Sequence, residues 1–202
     1  MTCRISRAAL RHYADCAERG RVVVLDTETT GISRADEVVE IAAAEYLNGE
    51  LARTLKLYVN PTCAIHPAAE AVHHLSRTFL AKHGLEPVEA LNRFYDFLGA
   101  ETLVVGHNIR FDCRMLQGEC RKFNYEVDRR GFAYCDTIAL ARRLVPGLPH
   151  YRLGTLIEAL NLDGRNSHDA LDDALACGAL FFNLVHRIPI VPEDYRYEPV
   201  FE

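Results

Sequence analysis

Val22-Val23-Val24-Leu25-Asp26-Thr27-Glu28-Thr29-Thr30-Gly31 is the stretch on which the reading of the chain turns. A short, β-branched apolar run ends in an acid, and a second acid follows two residues later. Closed by Thr and Gly, the run reads as a buried strand. Side chains two apart on a strand share a face, so Asp26 and Glu28 project together from its C-terminal end. Carboxylates held that close repel unless a cation lies between them. Oxygen ligands without a nearby thiolate suit a hard divalent ion such as Mg or Mn. The competing reading is an acidic strand-to-loop junction with solvated carboxylates.

Upstream, Ser6 to Arg19 has helical spacing, with Ser6 as N-cap and Gly20 as stop. Downstream, Val38 to Leu47 and Leu51 to Val59 are apolar segments separated by Asn48-Gly49, a strong hairpin signal. Pro67 to Ala71 reads as one helical turn. Ser76 caps a helix through His83, ended by Gly84. Pro87 to Leu98 is amphipathic, with Val88, Leu91, Phe94, Tyr95 and Leu98 on one side. Thr102 to Gly106 is a short buried strand, and a helix carrying Phe111, Met115, Leu116 and Cys120 follows. Phe132 to Cys135 is a last strand. Helices follow at Ile138 to Leu144, Leu153 to Leu160 and Ala170 to His186. The expected organisation is an N-terminal helix in residues 1–20, one α/β domain in 21–187 and an extended tail in 188–202. The domain is a mixed sheet with helices on both faces. Sites in such sheets form beyond the C-terminal strand ends, which Asp26, Gly106 and Asp136 all follow.

With 202 residues, the chain suits one domain with a full core. A formal net charge of -5 argues against holding nucleic acid by bulk electrostatics, though not against a local grip through metal ions and a few arginines. Seven cysteines without paired CxxC spacing read as reduced thiols, not as a disulfide framework or a zinc site. No apolar run reaches membrane-spanning length, and residues 1–20 carry no apolar signal core. A cytoplasmic protein with no membrane partner is expected.

Two further clusters carry chemistry. In Gly106-His107-Asn108-Ile109-Arg110-Phe111-Asp112, the glycine permits a tight exit from the strand, and Asp112 falls in the first turn of the helix. A helix-start acid favoured by the macrodipole explains Asp112 equally well, and N-capping explains Asn108. In His168-Asp169-Ala170-Leu171-Asp172-Asp173, His168 and Asp173 lie about 140° apart on an ideal helix. His168 is therefore placed on the loop before the helix and Asp173 within its first two turns. Asp169 and Asp172 read as a solvated acidic helix start.

Taken in order, Asp26-x-Glu28, Gly106-His-Asn-x-x-Phe-Asp112 and His168-x4-Asp173 resemble the three motifs of the DEDD exonuclease superfamily, histidine subtype. The resemblance runs from about Val22 to Asn183. Glu37-Val-Val-Glu-Ile-Ala is similar to the family's second strand. Val59-Asn-Pro, Ala71-Val-His-His-Leu, Cys135-Asp-Thr-Ile-Ala-Leu-Ala-Arg and Pro146-Gly-Leu-Pro-His-Tyr-Arg-Leu-Gly-Thr-Leu look most like the proofreading epsilon subunits of bacterial DNA polymerase III and their stand-alone relatives. His74 departs from the His-Gly usual there.

The resemblance implies a ribonuclease H-like fold and two divalent metal ions, Mg or Mn, held by Asp26, Glu28, Asp112 and Asp173. Asp26 would bridge both, and His168 would take a proton from the attacking water. Substrate contacts are implied for Thr27, Thr29, Thr30, His73, Asn108 and Phe111. For Phe111, stacking on a base and packing in the core stay equally open. The implied reaction is 3′–5′ hydrolysis of single-stranded DNA ends to nucleoside 5′-monophosphates, in proofreading or repair, with a polymerase subunit as a further partner. An RNA 3′–5′ exonuclease and a non-catalytic assembly module that keeps the fold are the alternatives.

Overall fold

The computed structural model describes residues 5–100, 102–127, 132–164 and 167–189. Its elements run α1 (Arg7–Arg19), β1 (Arg21–Thr29), β2 (Val38–Leu47), β3 (Glu50–Tyr58), α2 (Pro67–His73), α3 (Arg77–His83), α4 (Pro87–Leu98), β4 (Leu103–Gly106), α5 (Ile109–Lys122), β5 (Ala133–Asp136), α6 (Thr137–Leu144), α7 (Leu153–Ala159) and α8 (Ala170–Val185). The strands form one sheet in the order β3-β2-β1-β4-β5. The β1–β2 and β2–β3 pairs are antiparallel, whereas β1–β4 and β4–β5 are parallel.

Local chemistry accounts for the boundaries. The Ser6 hydroxyl accepts from the Ala9 amide at 3.1 Å, and the Gly20 amide closes the other end of α1 on the Cys16 carbonyl. Between β2 and β3, Asn48 and Gly49 both take positive φ, 52° and 86°, the combination a two-residue hairpin turn with the right twist requires. Ser76 caps α3 through the Phe79 amide.

Alternation along β1 divides the core. Val22 and Val24 face a layer built from α1, α6, α7 and α8; Val23 and Leu25 face the α4 and α5 side. Each fully buried Leu, Ile or Phe in these layers contributes roughly 1.5–3 kcal/mol. The apolar stripe of α4 starts one residue earlier than expected. Pro87, Ala90, Leu91, Phe94, Phe97 and Leu98 are buried, which leaves Val88 turned outward and 42% exposed. Helix α2 runs to His73, beyond the single turn expected. The expected tail falls mostly on residues 190–202, outside the described residues. Among the described residues no helix is long and apolar enough to cross a membrane.

This topology places the C-terminal ends of β1, β4 and β5 side by side, with the N-termini of α5 and α8 arriving at the same edge.

Candidate active site

The edge where those ends meet is acidic. Asp26 and Glu28 come from the last turns of β1, whose register sets Glu28 opposite Glu40 of β2. Asp112 lies in the first turn of α5, nearly buried at 3% exposure, and its Oδ1 accepts from the Thr27 hydroxyl at 2.7 Å. Asp173 lies in the first turn of α8, 5% exposed, and accepts from the Ser167 amide at 2.8 Å.

The electrostatics show how close these groups are. Burial, and then the charges of Asp112, Glu28, Asp173 and Glu40, push the Asp26 carboxyl well above the ordinary range. Glu28 is pushed up to about 8 by burial and then by Glu40, Asp173, Asp112 and Asp169. Asp112 rises to about 7, mainly through burial, even though Thr27 hydrogen bonds oppose the rise. Carboxylates drawn from three distant segments thus destabilise one another's charged forms, which is the condition a bound cation relieves. Ligand atoms of Glu28, His168 and Asp173 also lie within 4.8 Å of one another. Carboxylate oxygens with one imidazole fit a hard divalent ion.

His168 sits on the exposed loop before α8, in the left-handed region at φ 57°, with Asp169 behind it as the N-cap. The Asp169 carboxylate accepts from the Leu171 and Asp172 amides and is ion-paired with Lys56. Asp172 accepts from the Ser167 hydroxyl. The acidic helix start is therefore a bonded turn and not the solvated one expected. His168 and Asp173 stand where the spacing puts them.

The expected substrate-contact residues divide. Thr27 and Thr29 belong to β1, and both are buried. Thr27 serves Asp112, and the Thr29 hydroxyl donates to the Gly31 carbonyl at 2.6 Å. Thr30 is fully buried. Its hydroxyl bonds Asp36 and the Glu37 amide, and its own amide donates to the Glu37 carbonyl, which leaves no group of Thr30 for a ligand. His73 is 6% exposed. Its Nδ1 accepts from the Leu75 amide, and the buried ring is also bonded to the Thr29 backbone. Asn108 occupies the N-cap position of α5 at φ 68°, but its side chain makes no capping bond and is exposed. Phe111 is half-buried against the α4–α5 core, with the Arg114 guanidinium 5.1 Å from its ring centre.

Three residues carry more than the sequence suggested. Glu40 is an additional buried acid at this edge, 1% exposed, and a charged residue inside the apolar run of β2 was its visible signal. Ile32, on the loop leaving β1, is 82% exposed, and its carbonyl accepts from Arg114. His107 bonds the Thr137 hydroxyl at 2.9 Å and so ties the β4–α5 turn to α6.

A mixed sheet with clustered acids at the ends of its central strands defines the metal-dependent nucleases of ribonuclease H-like fold. The chain belongs to the RNase_T exonuclease family, whose model, described as Exonuclease, matches residues 23–181. It is 32% identical over 176 residues to DNA polymerase III PolC-type of Oceanobacillus iheyensis, covering 82% of this chain and 11% of that protein. It is 30% identical over 174 residues to 3′-5′ exonuclease DinG of Bacillus subtilis, covering 85% of this chain and 18% of that one. Among solved structures, E. coli Exonuclease I in complex with a dA16 oligonucleotide superimposes with a TM-score of 0.74 at 21% identity, over 84% of this chain and 41% of that one. The chain thus spans a small part of the curated relatives' length, and the last likeness speaks to the fold.

Proposed function

We propose that this protein is a 3′–5′ exonuclease that hydrolyses single-stranded DNA ends to nucleoside 5′-monophosphates with two bound divalent ions, Mg or Mn. One observation carries the reading: Asp26, Glu28, Asp112 and Asp173 come from β1, α5 and α8 and meet at one edge, with the carboxyls of Asp26, Glu28 and Asp112 raised by burial and by neighbouring charge. The relatives' names support the polarity and the DNA substrate, and the oligonucleotide bound by Exonuclease I supports a single strand.

Asp26, Glu28, Asp112 and Asp173 would hold the ions. Bound there, they would supply charge stabilisation at the scissile phosphate and at the attacking and leaving oxygens. His168, on its exposed loop, accepts a proton from the attacking water. Thr27 fixes the Asp112 carboxylate through its 2.7 Å hydrogen bond. Asn108, Ile32 and Phe111 form a partly apolar rim for the terminal nucleotide, with the Arg114 guanidinium over the Phe111 ring. The identity to PolC-type polymerases supports a polymerase subunit as partner. Free Cys16, Cys63, Cys113, Cys120, Cys135 and Cys177 fit a cytoplasmic setting.

Matched 5′-labelled DNA and RNA oligomers with Mg or Mn test the reading. The expected products are DNA strands shortened stepwise from the 3′ end and free 5′-mononucleotides. Faster cleavage of RNA would move the substrate to RNA, and intact strands of both kinds would leave a binding module.

A further inference from the structure

Lys56 stands on β3, the edge strand, outside every motif described above. Its register partner is Ala42 of β2, so its side chain reaches across that strand toward the acidic edge. There it makes two ion pairs. One is with Glu40 of β2 at 3.2 Å; the other is with Asp169, the N-cap of α8. The Tyr58 ring, 5.4 Å from Nζ, covers the ammonium from one side. Only about a quarter of the Lys56 side chain is exposed, and that of Glu40 is 2% exposed.

Asp169 divides its two oxygens. Oδ1 accepts from the Leu171 and Asp172 amides and so starts α8, while Oδ2 meets Lys56. The residue before it is His168, held in the left-handed region at φ 57°, a conformation that a non-glycine residue keeps only when its surroundings impose it. Four residues after Asp169 comes Asp173. The Ala170 amide also donates to the Glu40 carboxylate, so Lys56 and Glu40 together tie the start of α8 sideways to the β2–β3 hairpin.

We propose that Lys56 is a positioning residue: bridging Glu40 and Asp169, it fixes the entry of α8 and thereby holds His168 over Glu28 and Asp173. The inference rests on the exonuclease reading for its kinetic consequence, though not for its structural one. Losing the bridge frees residues 167–169, while the ligands on β1 and α5 and Asp173, buried inside α8, stay in place. Misplacement of a catalytic group by about 1 Å costs on the order of 10²-fold in rate.

The test compares wild type with Lys56→Met and Lys56→Arg. Each is measured for kcat and KM on a DNA oligomer, for Mn affinity, and for amide hydrogen exchange at 167–172. Lys56→Met is expected to lower kcat by about 10- to 100-fold, with KM and Mn affinity within about threefold, and to speed exchange at 167–172. Lys56→Arg, which keeps the cation, is expected to retain most of both. Unchanged kcat and exchange in Lys56→Met would overturn the proposal. So would parallel loss of kcat, Mn affinity and thermal stability with no recovery in Lys56→Arg, which marks a merely structural lysine. If wild type cleaves nothing, the exonuclease reading fails by itself, and the exchange at 167–172 still decides whether Lys56 fixes the entry of α8.

Discussion

His168 is the residue whose role the geometry divides most sharply. Its ring lies within reach of Glu28 and Asp173, so it either moves a proton or binds an ion. As the proton acceptor, it can be removed without losing the ion site. His168→Ala is expected to slow turnover about 10²–10⁴-fold while Mn affinity stays within about threefold of wild type. Titration calorimetry alongside single-turnover kinetics checks this, and equal losses in both would make His168 a ligand. The acids differ in kind from the histidine. Asp26 is surrounded by like charges, so an amide at that position relieves repulsion that the metal-free protein otherwise carries. Asp26→Asn is expected to abolish turnover and leave the metal-free melting temperature equal to or above that of wild type. Thermal unfolding in a chelator measures it.

At the scale of elements, the site depends on two helices starting close to the sheet. Gly106 lets α5 begin directly after β4. A Cβ there would lie 2.6 Å from Ile109 Cδ1 and 3.0 Å from the Leu25 carbonyl oxygen. Gly106→Ala is therefore expected to cost about 1–3 kcal/mol by overpacking and to shift Asp112. Denaturant melts and turnover should both fall, and unchanged values in both would contradict the close approach.

The same elements show what the sequence made legible. The acid pair of β1, the Asn48-Gly49 hairpin and the caps at Ser6 and Ser76 rest on local chemistry, so local reading found them. Partners chosen across the sheet were not legible. The side chain of Thr27 reads as a substrate contact until the fold sets it against Asp112, 85 residues on. Asn108 has the residue type of a cap and the position of a cap. Its left-handed φ nevertheless turns the side chain to solvent. Glu40 and Lys56 sit in separate strands with no spacing to join them, and only register brings them together. Val88 has the residue type of a core position, but a stripe that starts at Pro87 puts it on the outer side.

For the molecule as a whole, the acidic edge makes stability depend on pH and on metal. Glu28 rises from 4.5 to about 8 on folding, and Asp112 from 3.8 to about 7. In both cases the folded state binds the proton more tightly than the unfolded chain. Stability is thus fullest below the unfolded values and falls as pH climbs through the folded ones. Without divalent ions, the melting temperature is expected to drop between about pH 5 and pH 8. Added Mg or Mn should raise it more at pH 8 than at pH 6, because ions bind only the ionised carboxylates. A melting temperature that rises over this window in the presence of chelator would contradict the burial of these acids.

The most direct test of the acidic centre is Mn binding to wild type and to Asp26→Asn, followed by electron paramagnetic resonance at pH 8. Wild type is expected to bind two ions, and the Asn variant to lose at least one of them while staying folded. Equal binding by both proteins, or none by wild type at millimolar Mn, would contradict it.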